Sequence, residues 1–559
     1  MTPAPASSLR KYPGGSGGQR PLADRPGAAG AKPLLHIANL SITIQGNPVL
    51  NAISLNLDPG EITALTGESG SGKSMTALAT MGLLPAAAQA SGRILFDGLD
   101  LLSQSEKALS RVRGAQIGMI FQEPMTALNP LQTIGAQVSE TLRIHGAGGN
   151  IDAAARDTLH KVGLDQPLSR YPHELSGGQR QRVAIAMAIA LRPALLIADE
   201  PTTALDVTTQ AQILDLLKSL VKSEGMALMM ITHDLAVVAN MADHIAVMKN
   251  GEIVEAAPTA ELFAQMRHPY TRQLFDASRH RADLPEPAPG APLLRVAGVI
   301  RDYPLPRSRP FAKRTHFRAV SDVSFDMRAG ERLGLVGESG CGKSTLTRAI
   351  LGLEEIQQGA ITLNDAPVFT HGKPNRAVQR QMQVVFQDPY GSFNPRHRVA
   401  RLITEPFHLL DDPPSGAARE QAIAEALTAV GLHPDDRHKH IHAFSGGQRQ
   451  RIAIARALII RPKLIVFDEA VSALDVRVRA TILDLMAQLS RDYGLTYLFI
   501  SHDLSVVRSI TDRVLVMQKG RIVEHGPTER VFDAPEHPYT RALLAAAPKL
   551  PDIGDIHAA

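Results

Sequence analysis

Short apolar runs without polar alternation recur along this chain, and they end in the same punctuation. Glu61–Gly67 (EITALTG) and Glu331–Gly337 (ERLGLVG) run into glycine loops. Ala194–Glu200 (ALLIADE) and Lys463–Glu469 (KLIVFDE) end in two acids. Ala227–Asp234 (ALMMITHD) and Thr496–Asp503 (TYLFISHD) end in His-Asp. Runs that are apolar on both faces suit buried parallel strands. Thr208–Ser223 and Val476–Arg491 instead carry a helical period. Residues 125–185 and 390–455 read as mostly helical insertions. The pattern predicts an α/β fold.

The pattern also occurs twice. GESGSGKS at Gly67 returns as GESGCGKS at Gly337, and FQEP at Phe121 returns as FQDP at Phe386. LSGGQRQR around Ser176 returns around Ser445, and HPYTRQL at His268 returns as HPYTRAL at His537. With the two acid pairs and the two His-Asp pairs, six motifs keep one order at a spacing of about 270 residues, far beyond any solenoid period. The chain is a tandem duplication. The expected layout is a disordered tail over 1–33, a first unit over 34–280, a proline-rich linker over 281–294 and a second unit over 295–559. The tail is rich in Pro, Gly, Ala and Ser and buries too little apolar surface to offset ordering entropy.

Composition narrows the function. At 559 residues, 44% hydrophobic and 20% charged, the chain has material for several ordinary cores. The net charge is +4. Residues 1–33 hold five basic residues against Asp24 alone, so the remainder is neutral and a nucleic-acid partner is not expected. Cys341 is the single cysteine, which excludes an internal disulfide, a four-cysteine zinc site and a cysteine-ligated iron–sulfur cluster within one chain. No apolar run reaches the ~20 residues that span a bilayer, and the N-terminus lacks the apolar core of a secretory signal. The chain is expected in the cytosol, meeting the membrane only through a partner.

GxxxxGK[ST] after a strand is a phosphate-binding loop, whose glycines let backbone N–H groups wrap phosphate oxygens. The two copies are Gly67, Glu68, Ser69, Gly70, Ser71, Gly72, Lys73, Ser74 and Gly337, Glu338, Ser339, Gly340, Cys341, Gly342, Lys343, Ser344. Lys73 and Lys343 should reach the β- and γ-phosphates, with Ser74 and Ser344 on Mg²⁺. Asp199 and Asp468 end apolar strands, as a Mg²⁺-organising acid does. Glu200 and Glu469 follow, placed to poise an attacking water as general bases. A thiol at Cys341, close to Lys343 and a helix start, is expected to have a lowered pKa.

P-loop, FQ, SGGQ, DE, ALD and HD in this order resemble the nucleotide-binding domains of ABC ATPases, over residues 34–546. The resemblance implies a RecA-like α/β core with an antiparallel β subdomain and a helical subdomain, and two domains that sandwich two ATP molecules head to tail. Ser176, Gly177, Gly178 and Gln179 would then complete the site holding Lys343. Ser445, Gly446, Gly447 and Gln448 would complete the site holding Lys73. Gln122 and Gln387 resemble the glutamines that touch Mg²⁺ and the water. His233 and His502 resemble the switch histidines that bind the γ-phosphate. Adenine would stack near Ile44 in the first unit and on Tyr303 or Phe317 in the second. One departure is Ala470, where the first unit has Pro201.

Within that superfamily, the HPYT endings resemble the C-terminal signature of oligopeptide, dipeptide, nickel and glutathione importer ATPases. The fused arrangement is most similar to microcin C and peptide importer ATPases. This implies two separate permease subunits, a periplasmic binding protein reached through them, and a place on the cytoplasmic face of the inner membrane. The competing reading is a soluble tandem-ABC factor acting on ribosomes, but such factors join their domains by a long charged helix, and this linker is short and proline-rich. His438, His440 and His442 alternate, which points them apart on a helix, so they read as a solvated stretch.

Overall fold

The structure is a computed structural model that describes residues 32–122, 127–203, 205–287, 290–305, 314–388, 391–472 and 474–551. Almost all of the predicted tail lies outside the described residues.

Each unit is built on a six-stranded sheet. In the first unit the order is Glu252–Pro258, His244–Lys249, Ile62–Gly67, Ala227–Ile231, Leu195–Asp199, Ile117–Ile120. The first strand of that order runs antiparallel to its neighbour, and the other pairings are parallel. The second unit repeats the arrangement around Arg332–Val336. The strands Ile62–Gly67, Leu195–Asp199 and Ala227–Ile231 are buried along their whole length, which is why they read as unbroken apolar runs. A four-stranded antiparallel sheet packs on each core, led by Leu35–Ile44 in one unit and Pro292–Pro304 in the other.

The predicted insertions are helical. They contain Ile134–Ile144, Ile151–Lys161 and Gly177–Ile189 in the first unit, and Val399–Ile403, Gly416–Ala429 and Gly446–Leu458 in the second. The two long periodic segments form the helices Val207–Glu224 and Val476–Tyr493. Asp206 and Asp475 cap their first turns by accepting from Thr209 N and Val478 N. Gly225 and Gly494 end them in the left-handed conformation, at φ 65° and 58°.

The units are interlocked as well as joined. Val207 from the first unit and Ala282 from the linker lie in the second unit's main core, and Leu550 from the second packs on the first. The Lys549 carbonyl also accepts a hydrogen bond from Asn240 Nδ2 at 2.8 Å. Beneath the second sheet, Arg332 is 2% exposed and forms a two-point ion pair with Asp512. Its guanidinium also donates to the Pro285 carbonyl at 2.6 Å, which ties the chain between the units to the second core.

Candidate active sites between the two units

Each glycine loop starts at the end of a buried central strand. Gly67 has φ +147°, and a Cβ there would stand 2.1 Å from the Met248 carbonyl oxygen. Gly337 repeats this at φ +152° and 2.2 Å from the Met517 carbonyl. Only glycine lets the loop pass so close to the neighbouring strand. The helices Lys73–Thr80 and Lys343–Ile350 follow, with their first N–H groups free of intrahelical partners. Lys73 Nζ is buried and donates to the carbonyls of Gly67 at 2.8 Å and Glu68 at 2.7 Å. Lys343 does the same to Gly337 and Glu338, at 2.6 and 2.8 Å. Burial pushes the Lys73 pKa down, against the pull of Glu200, Asp199, Asp475 and Glu68.

The acid pairs stand beside these lysines. Glu200 and Glu469 are non-glycine residues in the left-handed region, at φ 48° and 51°. Such a conformation costs on the order of 1 kcal/mol or more and is typical of functional positions. It brings the Glu200 carboxylate to three donors from different elements: Gln122 Nε2 at 3.0 Å, His233 Nδ1 at 3.0 Å and Thr203 Oγ1 at 2.8 Å. Burial by itself would raise the Glu200 pKa, but His233, Thr203 and Lys73 outweigh it and hold the group at about 2. Glu469 is likewise lowered, with His502 Nδ1 at 3.4 Å. Burial works against the charged form of His502, yet the Glu469 and Asp503 carboxylates raise its pKa. Among the described residues Gln387 has no hydrogen bond to Glu469, so the second site is the looser of the two.

Asp199 and Asp468 are shifted the other way. Burial raises both carboxyls, with the neighbouring glutamates adding to it. Asp199 Oδ1 is buried without a hydrogen-bond partner, and the nearby Ser74 hydroxyl works against the upward shift of the carboxyl. A buried carboxylate oxygen lacking a donor, next to a hydroxyl and a phosphate loop, fits a divalent cation.

The signature segments open helices within their own units. Ser176 caps the helix Gly177–Ile189 reciprocally with Gln179, and Ser445 caps Gly446–Leu458 with Gln448. A Cβ on Gly178 would meet Thr209 at 2.3 Å, and one on Gly447 would meet Val478 at 2.4 Å. Each signature thus rests on the start of its own unit's long helix. Those helix starts meet the other unit's glycine loop. Thr208 Oγ1 donates to Glu338 at 2.8 Å, and Arg477 pairs with Glu68 at 2.8 Å. Val478 lines the same small cleft as Glu68, Ser69 and Asp475. Each glycine loop therefore meets the start of the other unit's long helix, first with second and second with first. His233 and His502 line one shared cavity of about 670 Å³ between the units, together with Arg479 and Asp503.

The lowered pKa expected for Cys341 is not found. Cys341 is buried at 7% exposure, and burial raises its pKa despite the opposing Lys343 charge. The loop shields the thiol more than the lysine activates it. Native chain should therefore label with maleimide at least ~10-fold more slowly at pH 7 than after denaturation. Comparable rates in the two states would show the burial to be wrong. Leu35 and Leu294, and Asn39 and Gly298, occupy equivalent register positions, so Ile44 corresponds to Tyr303. Phe317 is the cross-strand partner of Tyr303. The Tyr303 ring carries the Arg301 guanidinium at 4.6 Å, and its hydroxyl bonds to Glu354.

By sequence the HPYT segments are family markers. In the structure Tyr270 and Tyr539 touch the glycine loops, with their hydroxyls accepting from Glu68 N and Glu338 N at 3.1 and 2.9 Å. Their in-frame duplication was the available signal.

Two glycine loops, each backed by an acid pair and met by the start of the other unit's long helix, have the layout of a pair of nucleotide-binding cassettes. The ABC transporter family matches residues 50–203 and 320–472, and the oligopeptide/dipeptide transporter C-terminal region matches 254–291 and 523–557. The chain belongs to the ABC transporter family and is one of its ATPases, with the C-terminal region of the oligopeptide/dipeptide group after each cassette. It is 46% identical to the peptidoglycan transport ATP-binding protein YejF of Agrobacterium fabrum, over 92% of this chain and 96% of that one. It is 45% identical to the glutathione import ATP-binding protein GsiA of Salmonella typhimurium, over 93% of this chain and 90% of that one.

Proposed function

We propose that this chain is the fused, twin-site ATPase that energises an importer of peptides or peptide-like compounds, through two permease subunits supplied as separate chains. The observation that carries the reading is the oligopeptide/dipeptide C-terminal region behind both cassettes. The import and transport functions named for the full-length relatives support it. A microcin C type of cargo belongs to the same class of compounds. Among the described residues no helix is long and apolar enough to cross a membrane, so passage would lie in the partners. Leu131 and Ile144, 85% and 72% exposed on the first helical insertion, offer apolar contact for a permease on the cytoplasmic face. A periplasmic binding protein would act through the permeases. The segments after Phe121 and Phe386 that would complete this surface include residues 123–126, 389 and 390, outside the described residues.

In this reading Lys73 and Lys343 leave their loop carbonyls for the ATP phosphates. Ser74, Asp199 and Gln122 would hold Mg²⁺ in one site, and Ser344, Asp468 and Gln387 in the other; the ion supplies charge neutralisation on the phosphates. Glu200 and Glu469 accept the proton of the attacking water. With His233 hydrogen-bonded to it, Glu200 is a weaker base than an ordinary carboxylate. Moving His233 to the γ-phosphate removes the clamp and raises the basicity of Glu200 only when nucleotide is in place. Ser176 to Gln179 and Ser445 to Gln448 close the opposite sites, so ATP joins the units and its hydrolysis loosens them.

The adenine platforms differ, with Tyr303 in one unit and Ile44 in the other. Tyr303→Ile is expected to weaken ATP binding at the Lys343 site about tenfold, since base–aromatic stacking is worth ~1–3 kcal/mol. Titration in a Lys73→Ala background reads that site by itself; unchanged affinity would remove Tyr303 from the site.

The import reading is tested by isolating the chain from detergent-solubilised membranes and identifying what accompanies it. Two polytopic permeases, with ATPase activity stimulated by a peptide-type binding protein, are expected. Ribosomal proteins without permeases would replace import by the ribosome-acting alternative.

A further inference from the structure

The HPYT segments build a platform whose exposed purpose is not explained by packing. His268 caps the helix Pro269–Ser278 by accepting from Tyr270 N at 3.2 Å, and Pro269 starts that helix. The Glu255 carboxylate fastens the segment to the sheet by accepting from Arg267 N at 2.8 Å, His268 N at 3.1 Å and Thr271 Oγ1. The second unit repeats the device, with His537 accepting from Tyr539 N at 3.1 Å and Glu524 accepting from Glu536 N and His537 N at 2.8 and 3.1 Å. In the first unit the histidine, proline and threonine of the motif thus fix a short helix, in the second the histidine and proline do so, and in both the tyrosine is aimed from it. Tyr270 and Tyr539 are buried, and each hydroxyl ends on the backbone N–H of the second residue of its unit's glycine loop.

That second residue is a junction. The Glu68 carbonyl takes Lys73 Nζ, and its carboxylate takes Arg477 of the other unit. The Glu338 carbonyl takes Lys343 Nζ, and its carboxylate takes Thr208 of the other unit. Arg477 and Thr208 lie in the first turns of the helices on which the signature glycines rest. One residue therefore joins the C-terminal segment, the phosphate-binding lysine and the start of the other unit's long helix. The glycine before it, at φ +147° or +152°, is a swivel that does not hold that peptide by itself.

We propose that Tyr270 and Tyr539 are positioning residues of the two nucleotide loops, each holding the Glu68 or Glu338 peptide in the orientation that binds MgATP in its own unit's site. The proposal rests on the nucleotide-site reading above. A tyrosine hydroxyl that accepts this N–H satisfies a donor which is otherwise left unmet as the site closes. It acts equally on bound ATP and on the transition state, so it governs affinity and leaves turnover alone.

The test uses the full chain with Lys343→Ala, which leaves Lys73's loop as the working site, and magnesium with adenylyl imidodiphosphate as the probe. Tyr270→Phe keeps the ring and removes only the hydroxyl. Titration calorimetry is expected to show about fivefold weaker binding, the effect of one ordinary hydrogen bond. Tyr539→Phe in the same background is expected to leave binding unchanged, and in a Lys73→Ala background the two variants exchange effects. In otherwise unaltered chain, Tyr270→Phe should raise KM for ATP with kcat within twofold. A stoichiometry near one nucleotide, with Tm within ~2 °C, reports a folded protein. Unchanged binding in Tyr270→Phe, or equal weakening by both tyrosine variants in one background, overturns the positioning role. A chain carrying neither lysine change that binds no nucleotide overturns the nucleotide-site reading itself, and this proposal with it.

Discussion

Glu200→Gln combined with Glu469→Gln is expected to lower ATP turnover by at least ~10²-fold while MgATP stays bound, trapping the two units in the closed state. General base catalysis is worth ~10²–10⁴-fold, and an amide cannot take the water's proton. Size and placement are preserved, because Gln122, His233 and Thr203 surround the Glu200 side chain at hydrogen-bond distance. The left-handed backbone at φ 48° and 51° tolerates either side chain equally. Rapid-quench assays and nucleotide retention on gel filtration read the outcome. Brisk turnover in the double variant would remove both glutamates from the base role. The single variants should differ: Glu200 sits in the tighter clamp, so its replacement also frees His233 and Gln122 from a bond that Gln387 does not make.

Asp512→Ala is expected to destabilise the second unit by ~3–5 kcal/mol, the usual effect of leaving a buried charge unpaired. Arg332 is 2% exposed, and both its Nε and Nη2 end on Asp512. The first unit is the control supplied by duplication. Ile62 stands where the second unit has Arg332, and Asp243 simply accepts from Ile62 N at 2.9 Å. Arg332→Ile should therefore cost much less than Asp512→Ala, because Asp512 can keep the corresponding bond to residue 332 N, now 3.1 Å. Urea denaturation of the full chain compares the two. Equal losses would mean that the carboxylate, and not the stranded guanidinium, carries the effect.

The loops and strands that carry the proposed catalytic residues were legible because each depends on a local rule. A phosphate loop needs glycine at Gly67 and Gly337, where a Cβ would collide with a neighbouring carbonyl. Buried parallel strands need apolar residues on both faces, so Leu195–Asp199 and Ala227–Ile231 announced themselves as unbroken runs. Duplication turned each single motif into a pair in register, which is stronger than any motif by itself. Cys341 misled for the opposite reason. Proximity to Lys343 is visible in sequence, but the burial that outweighs it is a property of the packed loop.

Sequence by itself determined the two cassettes, their strands and helices, the phosphate loops, the acid pairs and the signatures, since spacing and side-chain type suffice for these. Only the tertiary structure decided what crosses between units. It put Arg477 on Glu68 and Thr208 on Glu338, set Tyr270 and Tyr539 against the loops some 200 residues away, and matched Ile44 with Tyr303. Such contacts join residues far apart in the chain, whose meeting depends on how whole sheets and helices pack, and no local period or propensity encodes that distance.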